Sequence, residues 1–249
     1  MNSLERLQAF EAFVNACDST KYGEKQWVGQ GNPQANILIV GMEPAINSDA
    51  PENVIMENIK WVKDCLATDI TKLECRNIRR SDVDDKGIKK FRGNHTWIVC
   101  QKLINFIYQR QSSDFLDFGK YTFATEMNNW VSKRKAINSK NRELFEKKLL
   151  DRRKLFKESQ FIQDFPVVIL ACSNYIVNNK KERQIDDTFE VKFDADGAKG
   201  ERYRFWTHHS QDRKRMVIHT RQLSSAIPDD MLKSISMIIR EHLAMTGNI

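Results

Sequence analysis

The sequence lacks any apolar run approaching the roughly 20 residues that span a bilayer. Its first nine residues carry charges where a secretory leader would have an apolar centre. These two absences predict a soluble cytoplasmic protein without a membrane partner. Cysteine is scarce and odd in number (Cys17, Cys65, Cys75, Cys100 and Cys172), with no Cys-x-x-Cys pair. Such spacing predicts neither a disulfide framework nor a four-thiolate iron–sulfur cluster. Cys172 follows an apolar run but lacks the flanking pattern of a nucleophile elbow, so it reads as a buried thiol. The five histidines form no ligand constellation. The adjacent pair His208-His209 would send its rings to opposite faces of a strand, and no metal or other cofactor is expected. Repeats, low-complexity tracts and linkers are also missing. The 249 residues suit a single domain over 1–249, with a helix inside residues 1–24 as an N-terminal extension.

Charge is abundant. Charged residues make up 29% of the chain and the net charge is +7, while 41% hydrophobic content suffices for a sizeable core. A basic balance permits a polyanionic partner such as DNA. Basic clusters occur at Lys133-Arg134-Lys135, Arg152-Arg153-Lys154, Lys180-Lys181-Arg183 and Arg213-Lys214-Arg215. The first and last adjoin apolar strand candidates and are expected to flank one DNA-binding site. The Arg152 cluster reads as a solvated helix face.

Four apolar, strand-like segments, residues 37–40, 121–125, 166–171 and 216–218, alternate with amphipathic helical patterns. Those helices are expected over 4–17, 53–66, from Thr96 onward, over 141–162, and after Pro228. Alternation of this kind predicts a three-layer α/β/α sandwich around a mostly parallel, four-stranded central sheet. Residues 189–193 and 203–207 alternate around Asp196-Gly197 and predict an added β-hairpin. Residues 29–33 read as a break before the first strand, and 68–93 as an irregular excursion, a candidate lid or DNA-facing loop.

Two strand ends carry chemistry. Ile37-Leu38-Ile39-Val40 runs into Gly41-Met42-Glu43-Pro44, with Gly41 read as a sharp turn that holds Glu43 at the carboxyl end of the strand. Met216-Val217-Ile218 runs into His219-Thr220-Arg221-Gln222-Leu223-Ser224. Together these motifs resemble the two signatures of the uracil-DNA glycosylase superfamily: strand-Gly-x-(Asp/Asn)-Pro, and strand-His followed by a loop with Leu-Ser. The resemblance covers roughly residues 25–245. It departs from the family pattern at Glu43, usually Asp or Asn, and at Thr220-Arg221, where Pro-Ser is usual.

The resemblance implies a DNA glycosylase acting on a flipped base. Glu43 would stabilise the cation-like sugar and orient water, and His219 would donate a hydrogen bond to the departing base. Glu126, Asn128 and Met42 are the implied base-binding residues. An ionised Glu126 only accepts hydrogen bonds, which suits an exocyclic amine; Asn128 offers both a donor and an acceptor. Leu223 would enter the minor groove as a wedge, with Arg221 and Ser224 on the DNA backbone. Two other readings stay open: a nucleic-acid-binding module of this fold without catalysis, and a hydrolase of free nucleosides or nucleotides.

Overall fold

A computed structural model describes residues 2–44, 53–74, 78–79, 81–83, 89–91, 95–111, 115–130, 141–196, 204–225 and 227–248. Its elements in chain order are α1 (Ser3–Cys17), β1 (Gln30–Gly31), β2 (Ile37–Gly41), α2 (Val54–Thr68), β3 (Ile78–Arg79), β4 (Ser81–Val83), β5 (Lys89–Phe91), α3 (His95–Ile107), β6 (Phe115–Leu116), β7 (Thr122–Glu126), α4 (Arg142–Glu158), α5 (Gln160–Gln163), β8 (Val167–Leu170), α6 (Gln184–Phe189), β9 (Lys192–Asp196), β10 (Trp206–His209), β11 (Met216–His219) and α7 (Asp229–Met245).

The four expected strands lie side by side and parallel, in the order β7-β2-β8-β11. Apart from His219 at the end of β11, β2, β8 and β11 are apolar on both faces, as strands buried on both sides require, while β7 carries Thr122, Thr125 and Glu126. The sheet nevertheless has seven strands rather than four, in the order β1-β7-β2-β8-β11-β10-β9. β1 pairs antiparallel with β7, and β10 and β9 extend the other side antiparallel to β11. Each parallel edge would otherwise leave a row of unpaired N–H and C=O groups. The expected hairpin is thus part of the sheet itself. Its first arm starts later than expected: residues 184–189 form α6, which ends at the left-handed Glu190 (φ 53°), and β9 begins at Lys192.

The expected break at 29–33 contains β1. Gly31 has φ 107°, and a Cβ there would sit 2.3 Å from the Thr122 carbonyl oxygen, so only glycine lets this short strand approach β7. Within the expected excursion, β4 and β5 form a two-stranded antiparallel ribbon and β3 pairs with β6. The rest of 75–94 lies outside the described residues.

Alternate strand positions divide the core in two. Leu38, Val40, Phe123, Val168, Leu170 and Val217 pack with α1, α2, α4, α5 and α6. Ile37, Ile39, Val167, Ile169, Met216 and Ile218 pack with α3 and α7. Helices therefore cover both faces of this mixed α/β fold. Instead of extending from it, α1 is seated in the first core through Phe10, Phe13, Val14 and Cys17, and an Asn2–Glu5 capping box opens it. Leu4, expected on its apolar stripe, is exposed, and Arg6 takes the inward place. The Arg6 guanidinium is accommodated by Pro33 O, Ala35 O and the Asp164 carboxylate. The expected long helix over 141–162 breaks at Ser159, whose hydroxyl accepts from Ile162 N and caps α5. Among the described residues, no helix is long and apolar enough to cross a membrane, and no group of three or more His, Cys, Asp or Glu is placed to hold a metal ion.

Candidate active site

The carboxyl ends of β7, β2, β8 and β11 form one edge of the sheet, where parallel α/β folds leave their side chains open to ligands. Beyond the strands, β2 and β7 stay bonded: Met127 N donates to Gly41 O and Asn128 N to Met42 O. Gly41 pairs with Glu126 in register. A Cβ on Gly41 would lie 2.1 Å from Glu126 Oε2. Gly41 is not in the left-handed region. The glycine thus makes room for the Glu126 carboxyl rather than enabling a sharp turn.

Two carboxyl groups influence one another electrostatically at this corner. Burial, and then the negative charge of Glu43, push the Glu126 carboxyl up to about 8; the Arg152 guanidinium opposes them and loses. Burial thus favours the uncharged form of Glu126, in which the carboxyl can donate, in place of the ionised acceptor expected from the sequence. A protonated carboxyl presents a donor and an acceptor side by side. Glu43 Oε2 accepts from the Tyr175 hydroxyl at 2.5 Å. The Tyr175 phenol is pushed above its ordinary range, chiefly by burial and then by this bond, so it stays a donor.

Arg152, expected on a solvated face, is fully buried beneath the end of β7. Its Nε donates to Glu126 O at 2.9 Å and its Nη2 to Thr125 Oγ1 at 2.7 Å. The guanidinium thus fixes the strand end that carries Glu126. Helical spacing gives the signal: Arg152 falls in line with Phe145, Leu149 and Phe156 on the inner stripe.

Two strands away from Glu43, His219 is buried and both ring nitrogens are engaged. Nε2–H donates to Ser173 O at 2.7 Å, and Nδ1 accepts from Asn178 Nδ2 at 3.3 Å. Burial lowers its pKa to about 4, so the ring is neutral. The same Asn178 amide reaches His208 Nε2 at 3.2 Å, and His208 Nδ1 bonds Asp186 at 2.6 Å. His219 is consequently a fixed structural ring with no hydrogen left for a departing base, contrary to the expected donor role. The turn after β8 links the two ends of the edge: Tyr175 reaches Glu43, while Ser173 reaches His219. Ser173 holds φ 51°, a costly conformation for a residue with a side chain. Its N–H bonds Thr220 O, its carbonyl takes the His219 hydrogen, and its hydroxyl accepts from Gln222 N.

The remaining expected site residues divide. Asn128 is buried, with its amide donating to Phe145 O and accepting from Trp130 N, so the base-reading role does not fit it. Leu223 is 1% exposed and packs in the core that includes α7, so it cannot act as a surface wedge. Met42 packs partly on the first core. Arg221 lines a cavity beside His219, and Ser224 is partly exposed nearby in the chain.

Arg213, Lys214 and Arg215 sit at the start of β11, the opposite end of the strand from His219. Three strand residues lie between Arg215 and His219, four steps or roughly 13 Å along the strand. Arg213 pairs with Asp194, and Arg215 donates to Gln163 Oε1 and Phe189 O. They do not flank the carboxyl edge. Lys133, Arg134 and Lys135 lie outside the described residues.

Cys172 is buried, as its sequence context suggests, and burial raises its thiol far above the reactive range. Sequence reasoning missed Tyr175, Asn178 and Trp206. The rule that singled out Glu43 and His219, chemistry at a parallel strand's carboxyl end, applies equally to β8 and would have found the first two. Compared with known protein families and with curated proteins, the chain matches none.

Proposed function

We propose that the protein hydrolyses an N-glycosidic bond in a nucleotide unit, as a divergent glycosylase-like enzyme on a three-layer α/β/α sandwich. The observation that carries this reading is the strand-end pair of carboxyls, Glu43 held by the Tyr175 hydroxyl and Glu126 set against Gly41 across the β2–β7 pairing, with burial raising the Glu126 carboxyl. Hydrolysis of an N-glycoside needs a negative charge against the cation-like sugar and a proton donor toward the departing base. Glu43, oriented by Tyr175, supplies the first and directs a water to the anomeric carbon. Glu126 supplies the second. The C–N bond breaks as the base takes the Glu126 proton, water adds its oxygen to the sugar and gives its proton to Glu43, and that proton returns to Glu126 through solvent to restore both groups. Two carboxyls in different environments are an arrangement that can divide such roles.

Burial of Leu223 favours a base that is already unstacked, in a single strand or a free nucleotide, over one extruded from duplex. The test is base release, read by chromatography, from single-stranded and duplex oligonucleotides carrying uracil, hypoxanthine or alkylated bases, and from the free nucleosides. Release from unpaired substrates, lost about 10²–10⁴-fold in Glu43→Gln, is expected. Absence of release from every substrate overturns the reading.

A further inference from the structure

Asn178 stands between two buried histidines. Its amide nitrogen carries two hydrogens and directs one to each ring, to His208 Nε2 at 3.2 Å and to His219 Nδ1 at 3.3 Å. The orientation of the amide is fixed from its other side, where Oδ1 accepts from Arg183 Nη1 at 3.0 Å. Both facing ring nitrogens are therefore bare acceptors. The opposite nitrogens carry the hydrogens: His208 Nδ1–H donates to Asp186 Oδ1 at 2.6 Å, and His219 Nε2–H to Ser173 O at 2.7 Å. This chain of bonds fits two neutral rings and no other count of protons. Backbone bonds from Gln184 N to Val177 O and from Asn179 N to Glu182 O, both 2.9 Å, pin the loop that carries Asn178. The amide can turn while the loop keeps its course.

Charge surrounds the pair unevenly. Asp186 on α6 and Arg183 just before it face His208, β9 presents the Phe193 ring edge-on, and β11 brings His219. His209, next in the chain, turns to Asp194 and His242. His219 lies under the Trp206 indole, 5.4 Å between centroids, and Arg204 and Arg221 line the cavity beside it. Asp186 thus draws the first added proton to His208. Burial holds both rings below the ordinary imidazole value, His219 at about 4, so both are neutral at neutral pH.

We propose that the Asn178 amide is a latch that couples proton uptake at His208 to proton uptake at His219. A proton on His208 Nε2 sets an N–H against the Asn178 amide hydrogens, donor against donor at 3.2 Å. Turning the amide over resolves the conflict, because Oδ1 then accepts from His208. The same oxygen now faces His219 Nδ1, which takes a second proton while Nε2–H stays on Ser173 O. Two protons enter from solvent and none leaves. Arg183 meets the amide hydrogens instead of an oxygen and must move off, its guanidinium resting 3.9 Å over the Phe193 ring. The wall of the cavity beside His219 gains positive charge, and the Trp206 stack becomes a cation–π contact. This latch goes beyond the hydrolytic reading and does not rest on it, since it uses neither Glu43 nor Glu126.

The experiment titrates the full chain with nitrogen-15-labelled histidine rings by NMR. Indole fluorescence is followed alongside, since an imidazolium quenches an indole stacked on it, and melting temperature at neutral pH is the folding check. At neutral pH His208 should be the Nδ1–H tautomer and His219 the Nε2–H tautomer. On acidification both rings should charge at one midpoint, with a Hill coefficient of about 1.5–2. A quenching step that is absent from Trp206→Phe should share that midpoint. Asp186→Asn should lower the midpoint by about one pH unit or more, because the carboxylate that draws the first proton is gone. Asn178→Asp should raise it by about 1–3 units, because the new carboxylate accepts from both rings. A general loss of stability does not move the midpoint both ways. Asn178→Ala should split the two titrations apart. Independent midpoints in the wild type, other tautomers at neutral pH, or Asn178→Asp without a rise overturns the inference. If the wild type unfolds before its rings charge, Asn178→Asp brings the transition into the folded range, and failure of both rings to charge there overturns it equally.

Discussion

The two edges of the central sheet enclose cavities of nearly equal volume, about 610 Å³ at the amino edge and 630 Å³ beside His219 at the carboxyl edge. Their chemistry is opposite. At the amino edge Arg6 is bound to two carbonyls and Asp164, and Arg215 to Gln163 and Phe189. Those cations complete the ends of helices and strands. At the carboxyl edge burial raises the proton affinity of a carboxyl, a serine is held at positive φ, and an indole stacks on a buried histidine. Proteins concentrate such features where a ligand is handled. A basic cluster in the sequence therefore says little until its end of the strand is known.

The sharpest contrast between the edges is expected from Glu43→Gln set against Lys214→Ala. The first should lower base release about 10²–10⁴-fold with little change in melting temperature. The second, at an exposed amino-edge lysine, should leave turnover within twofold. Comparable losses in both would erase the distinction between the edges.

Leu223→Ala comes next. Removing a buried leucine should cost about 2–4 kcal/mol in denaturant unfolding. It should leave the ratio of single-strand to duplex activity unchanged. A shift in that ratio at unchanged stability would restore the wedge.

Titration of Glu126 gives a pH-dependent test. Its folded value of about 8 stands above the ordinary 4.5, so protonation favours the folded chain. That contribution is complete below about pH 4.5 and is lost as pH rises through about 8. Stability of the wild type should decline by a few kcal/mol across this window, and Glu126→Gln should flatten the decline. The rate should fall above pH 8 for the same reason. A rate that climbs through pH 8 would exclude Glu126 as the acid.

Gly41→Ala should have the smallest effect that still separates the edges. The new methyl displaces a flexible carboxyl, so activity should drop about tenfold while stability changes by roughly 1 kcal/mol or less. Gly31→Ala, which meets a carbonyl at positive φ, should destabilise more without altering the pH profile.

Much of the fold was legible in the sequence. Strands buried on both faces give short apolar runs, and such runs marked β2, β8 and β11, while β7 was marked by its aromatic and β-branched residues. Their flanking strands were harder, because β1 is two residues long and depends on Gly31 fitting against Thr122. At the site, Glu43 and Glu126 were visible as carboxylates at strand ends. The raised proton affinity of Glu126 was not, since it arises from burial and from the Glu43 charge. The roles of His219 and Leu223 failed for one reason: a motif records residue type and spacing, while hydrogen bonds from Asn178 and Ser173, and packing under α7, decide what remains available. Arg213–Arg215 looked close to His219 along the chain, but the intervening residues form a strand and carry them to its far end.

The register that sets Gly41 against Glu126 also has a kinetic consequence. Parallel pairing joins segments far apart in the chain, and the edge is complete only when β11, later still, docks on β8. Non-local pairings of this sort form slowly compared with helices. During refolding, helical signal should therefore recover well before Glu126 acquires its raised proton affinity. A chain caught between those stages already holds Glu126 but ionises it as an ordinary carboxylate, so the raised proton affinity arrives as the closing event of folding.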